Sequence, residues 1–73
     1  MNTDTTAEQL VAIGFDGWRV ISSTGTVRGH IRREPTPSGE RFHARRFDAA
    51  LGAFRVLGSF WSRDEAVDCL RWS

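Results

Sequence analysis

The segment VRGHIRREPTPSGERFHARRFD, residues 27–48, lies at the centre of the chain and sets its architecture. Two runs within it share one pattern: Arg28, His30 and Arg32 in RGHIR, and Arg41, His43 and Arg45 in RFHAR, each spelling Arg-x-His-x-Arg. Side chains alternate between the two faces of a strand, so each trio projects from one face while Val27, Gly29, Ile31 and Phe42, Ala44 project from the other. Two such strands, paired with their apolar residues together, have one basic face and one apolar face. The expected register sets Arg28 opposite Arg45, His30 opposite His43 and Arg32 opposite Arg41, with Ile31 beside Phe42 and Gly29 beside Ala44. Like charges set opposite each other destabilise a sheet by about 0.2–1 kcal/mol per pair. A bound polyanion reverses that sign; alternatively, the long arginines splay into water and cover apolar neighbours with their stems.

The connection between the two runs, residues 34–40, is expected to be a loop. Both prolines lack a ladder N–H, and the serine and glycine favour turns. Upstream, WRVIS (18–22) and TVRGHIRR (26–33) are strand-like around a turn at Ser23, Thr24 and Gly25, which makes them a hairpin. Downstream, residues 48–52 form a turn before AFRVLGSFW (53–61). Residues 5–13 are expected to be a short helix, with Thr5 and Glu8 in capping-box spacing, Ala7, Leu10 and Val11 at helical intervals, and Gly14 as its left-handed terminal residue. A second helix spans residues 62–72. Ser62 and Glu65 form its capping box, Asp64, Glu65 and Asp68 lie near the positive end of its dipole, and Ala66, Val67 and Leu70 make an apolar stripe that packs on the sheet. The fold class is therefore α+β: a three- or four-stranded antiparallel sheet on a C-terminal helix, preceded by a short N-terminal helix, in one domain with 1–16 as an acidic extension.

With 73 residues there is room for one modest core. Five phenylalanines and three tryptophans are the means of stabilising it, with at least two of Trp18, Trp61 and Trp72 expected inside. The net charge is +1, unevenly spread: −3 over residues 1–16, +5 over 17–57 and −1 over 58–73. All ten basic residues are arginine. That choice suits bidentate phosphate contacts, but it extends to positions without a ligand role, which favours a GC-rich genome as its source. The single cysteine, Cys69, excludes an internal disulfide, no signal-peptide pattern opens the chain, and no apolar run has the length of a membrane span. A cytoplasmic protein without membrane contact is expected. No paired carboxylates, no nucleophile with its base, no metal cluster and no phosphate-cradling glycine loop can be assembled, so the expectation is a non-enzyme with no cofactor, no metal and no small-molecule substrate.

From Val27 to Leu70 the chain resembles the plant ethylene-response-factor type of DNA-binding domain and, more distantly, the amino-terminal arm-site-binding domain of tyrosine integrases. The matching pieces are VRG, RRE before Pro35, GERFHARRFD and FRVLGSFWSRDEAV, in the family's order. The resemblance implies a three-stranded sheet on a C-terminal helix, with the sheet laid in the DNA major groove. It places Arg28 at a base-contacting arginine, Arg32 and Arg33 near another pair, and Arg41, His43 and Arg45 on the face turned toward DNA. Phe47 and Val56 stand where the family has an arginine and a tryptophan. Arg55 has two positions: plain alternation puts it on the basic face, whereas alignment through LGSF turns it toward the helix. The expected interface is thus Arg28, His30, Arg32, Arg33, Arg41, His43, Arg45 and Arg55. Its expected partner is double-stranded DNA, bound by a regulatory or mobile-element accessory factor. The alternative is a protein-binding module or inhibitor that presents the same face to an acidic protein.

Overall fold

The computed structural model describes residues 8–72, which form strands β1 (Gln9–Ile13), β2 (Gly17–Ile21), β3 (Val27–Thr36), β4 (Gly39–Asp48) and β5 (Ala53–Phe60), then helix α1 (Arg63–Trp72). The strands build one antiparallel sheet in chain order, and α1 crosses the face of β3, β4 and β5. The α+β class and the C-terminal helix on an antiparallel sheet are as expected, with five strands instead of three or four.

The additional strand is β1, where residues 9–13 were expected to be helical; residues 5–7 of that expected helix lie outside the described residues. β1 pairs with β2 from Gln9 opposite Ile21 to Ile13 opposite Gly17. A helix of this length gains little from its own hydrogen bonds, whereas the edge of β2 supplies a full ladder, and β-branched Val11 and Ile13 suit a pleated surface. Gly14 does take a left-handed conformation, φ 67°, but as part of the turn between two strands. Glu8 caps nothing described. Its carboxylate accepts from Arg28 Nε (2.7 Å) and Arg71 Nε (2.9 Å), its side chain 3% exposed between them.

The expected loop at 34–40 is instead the tip of a long hairpin. β3 continues through Pro35 to Thr36, β4 begins at Gly39, and Pro35 pairs with Glu40. Arg33 N–H points toward the β2 side, donating to the Asp16 carbonyl (2.7 Å). Pro35, two residues on, presents its missing donor to the same side, beyond the point where β2 has turned away, so no ladder bond is lost. Thr36 closes the turn by donating to the Gly39 carbonyl (2.6 Å) and accepting from Ser38 N–H (3.2 Å). This two-residue turn moves the register from the expected one: Arg45 lies opposite His30, His43 opposite Arg32, and Arg41 opposite Glu34. Parity is preserved, so Ile31 still shares the apolar face with Ala44.

Two bulges interrupt the alternation. Val20 pairs with Gly29 but Ile21 with Val27, leaving Arg28 as the extra residue; Ala44 pairs with Gly58 but Arg45 with Val56, leaving Leu57 as the other. Val20, Ile31, Ala44, Ala66, Val67 and Leu70 are buried between sheet and helix, with Leu10, Trp18, Phe42, Leu57, Phe60 and Cys69 around them. Ser62 caps α1 as expected, its Oγ accepting from Glu65 N–H (3.1 Å). Of the three tryptophans Trp18 packs against the core, whereas Trp61 and Trp72, expected to include at least one further core residue, are 56% and 80% exposed.

Gly29 lies beneath Leu70, where an added Cβ would stand 2.6 Å from the Arg45 carbonyl oxygen and 2.7 Å from Leu70 Cδ2. Gly29→Ala is expected to cost about 3 kcal/mol by overpacking, measured by urea unfolding. Removing the Glu8 charge is expected to cost about 2 kcal/mol, since hydrogen bonds to a charged group are the strong ones. Burial works to raise the Glu8 pKa, but the hydrogen bonds and charges of Arg71 and Arg28 outweigh it and hold it below 4.5. The stabilisation is therefore complete above pH 4.5 and lost as pH falls through the folded value. In parallel acid titrations, wild type and Glu8→Gln should differ at neutral pH and converge in acid.

Candidate functional site

With α1 on one side, the sheet's other side is open to water. Register assigns the residues to it in rows that run across the strands. One row is Val11, Arg19, His30, Arg45 and Val56; the next is Ile13, Gly17, Arg32, His43 and Ser59. Arg41, opposite Glu34, continues the basic stripe, and its guanidinium lies over the Trp61 ring at 4.3 Å. Arg45 covers Phe54 at 4.5 Å, and His30 meets the same ring edge-on at 4.9 Å.

Of the eight expected interface residues, five share this face: His30, Arg32, Arg41, His43 and Arg45. The other three do not. The first bulge turns Arg28 to the helix side, where it pairs with Glu8 and, through it, with Arg71 of α1. Arg33 follows Ile31 to the helix side, donating to the Phe15 carbonyl (2.7 Å) and lying 3.6 Å from Glu40 and 5.9 Å from the Trp18 ring. Arg55 is moved off the open face by the second bulge: it lies opposite Arg46, which is bonded to the Leu70 carbonyl of α1, and pairs with Asp48 at 3.4 Å. The alignment through LGSF had the right direction for Arg55, and plain alternation the wrong one. Each bulge also brings apolar residues to the open face, Val27 in β3 and Phe54 and Val56 in β5, which are 50%, 40% and 60% exposed.

Arg19 belongs to the site and was missed. WRVIS contains the signal, since an inward Val20 sends Arg19 outward, but only the β2–β3 pairing places it directly opposite His30.

The two histidines differ. His43 is bonded at both nitrogens, Nδ1 to Ser59 Oγ (2.6 Å) and Nε2 to Glu34 Oε1 (2.7 Å). This Ser–His–Glu chain escapes a search by sequence spacing because three strands contribute to it. Its nitrogens are exchanged relative to serine hydrolases, in which Nε2 faces the serine and Nδ1 the acid. His30 has no such partners: its Nδ1 is buried and unbonded, as is Nε of the facing Arg45. Burial, then the charges of Arg19 and Arg45, lower its pKa below the ordinary 6.5.

Ion pairing divides the arginines. On the helix side Arg28, Arg33, Arg55 and Arg71 each have a carboxylate, and Arg46 bonds two carbonyls. On the open face, Arg19, Arg41 and Arg45 have no carboxylate partner among the described residues, and Arg32 has only Asp16 at 3.9 Å. The described residues hold no group of three or more His, Cys, Asp or Glu placed for a metal ion, and no described helix is long and apolar enough to cross a membrane. Comparison with protein families, curated proteins and solved structures finds no match to this chain.

The His30 environment has a direct consequence. Because its folded pKa lies below 6.5, protonation opposes folding: stability is full above pH 6.5 and falls as pH drops toward the folded value. In an NMR titration His30 should titrate below 6.5, and Arg19→Gln should move it upward. An unchanged His30 pKa in that variant would rule out the Arg19 contribution.

Proposed function

We propose that this domain binds DNA through the open, arginine-rich face of its sheet. The observation that carries the reading is the row Arg19–His30–Arg45: three basic side chains directly opposed on neighbouring strands, with no carboxylate partner for either arginine among the described residues. Such a row opposes folding in isolation. An array of phosphates turns the same repulsion into binding energy by counterion release. Arg32 and Arg41 extend the row into a stripe, and guanidinium groups suit phosphate oxygens and guanine edges. The resemblance to the ethylene-response-factor domain supports a double-stranded ligand and, through Arg32, Arg41, His43 and Arg45 though not Arg28 or Arg33, the same face. The role is binding without catalysis, as an accessory or regulatory factor, with no cofactor.

A second reading has its own observation. Val11, Ile13, Val27, Phe47, Phe54 and Val56 are exposed on the same face around the stripe. Arginine interleaved with aromatic and aliphatic side chains also describes the centre of a protein interface, and an acidic protein would satisfy both parts.

Salt decides between them. Affinity for random-sequence duplex should fall with a log–log slope of about −3.6 for four phosphate contacts. Arg19→Ala and Arg45→Ala should each take about one unit from that slope, while Arg55→Ala, on the helix side, should leave it in place. No binding at about 50 mM salt, where phosphate contacts are strong, removes the DNA reading. An acidic protein captured through Arg19 and Arg45 in its place establishes the second.

A further inference from the structure

Beside the basic row the sheet surface is hollow. Gly17 occupies the position between Ile13 and Arg32 in the second row and contributes no side chain. The resulting depression, about 220 Å³, is bordered by Ile13, Asp16, Gly17, His30, Arg32 and Arg45. Every other element that faces His30 contributes something to its charge or packing. β2 contributes Arg19, β4 contributes Arg45, β5 contributes the Phe54 ring, its own strand contributes Arg32, and the β1–β2 turn contributes Asp16, the carboxylate at the rim. The basic groups exceed the acidic ones, and His30 lies directly between two of them.

We propose that this hollow seats one phosphate group of the bound nucleic acid against Arg32, Arg45 and His30, and that seating it protonates His30, so that the grip tightens as pH falls. The inference rests on the DNA-binding reading. In the free protein burial opposes a charge on the ring, and the guanidinium groups of Arg19 and Arg45 add to that opposition. A phosphate monoanion in the hollow offsets the guanidinium charges and gives an imidazolium a direct partner. The proton is taken from solvent in the act of binding, and linkage requires affinity to rise wherever the complex holds more protons than its parts. His43 differs from His30 in that Glu34 and Ser59 engage both its nitrogens.

The test is titration of the whole chain with a labelled random-sequence duplex lacking terminal phosphates, at constant ionic strength from pH 8.0 to 5.5. A bound-state pKa one unit above the free value gives an affinity gain that grows as pH falls and approaches about tenfold only below the free value. Calorimetry of wild type at pH 6.5, in two buffers of different ionisation enthalpy, should register net proton uptake and requires no variant. His30→Gln should flatten the profile, whatever its affinity at pH 8.0, and His43→Gln should retain the slope. Binding that is salt-dependent but flat with pH, or a slope lost in His43→Gln and kept in His30→Gln, overturns the proton-linked seat and leaves the DNA reading standing. Absence of binding at every pH removes both.

Discussion

The C-terminal end of α1 is fastened to the sheet at one place, and much of the molecule follows from how that is done. Leu70 fills the space that a side chain at Gly29 would need. Its carbonyl accepts from Arg46 Nη2 (3.2 Å), and Arg46 Nε donates in turn to the Arg28 carbonyl (3.0 Å). Arg71 and Arg28 converge on the buried Glu8 carboxylate, which ties the start of β1 to both β3 and the helix. A cation at the negative end of a helix is favourable on its own account. Here Arg46 also donates to one of the helix's terminal carbonyls. Gly29 lies under Leu70 by alternation with Ile31, and the bulge at Arg28 turns Arg28 to Glu8 beside it.

The same geometry explains why the ten arginines have different functions. Those turned to the helix side are consumed in holding the fold, by carboxylates or carbonyls. Those on the open side face one another, rings and water, with Arg41 also donating to the Ser59 carbonyl and Arg32 lying 3.9 Å from Asp16, while Arg63 of α1 lies over the Trp18 ring. The partition is made by two single-residue irregularities, at Arg28 and Leu57, and each trades an arginine on the open face for apolar side chains. A surface that would have been evenly basic is instead a basic stripe bordered by Val11 and Ile13 on one side and Phe54 and Val56 on the other. Charge complementarity and apolar contact are then available to the same ligand, at adjacent places.

Much of the fold was legible in the sequence because its signals are local. The capping box at Ser62, the apolar stripe Ala66, Val67 and Leu70, the turns at 23–25 and 48–52, and the alternation around Ile31 and Ala44 depend on neighbours within a few residues. The N-terminal helix was misread because Leu10 and Val11 fit both periods; an available edge on β2 decided for the strand. The loop at 34–40 was misread because the penalty for proline depends on which way its missing N–H points. That direction is a property of the sheet and not of the dipeptide.

The two-residue period of a strand was enough to establish the class, the inward direction of Gly29, Ile31, Phe42 and Ala44, and the existence of a basic face. It also determined that His30, Arg32, Arg41, His43 and Arg45 belong together. Tertiary structure alone decided the pairing register, and with it whether each histidine faces its twin or an arginine. It alone displaced Arg28 and Arg55 and brought in Arg19. A bulge reverses the face on which the side chains beyond it fall, and the groups that its residues meet can be distant in sequence, as Glu8 and Arg71 are from Arg28.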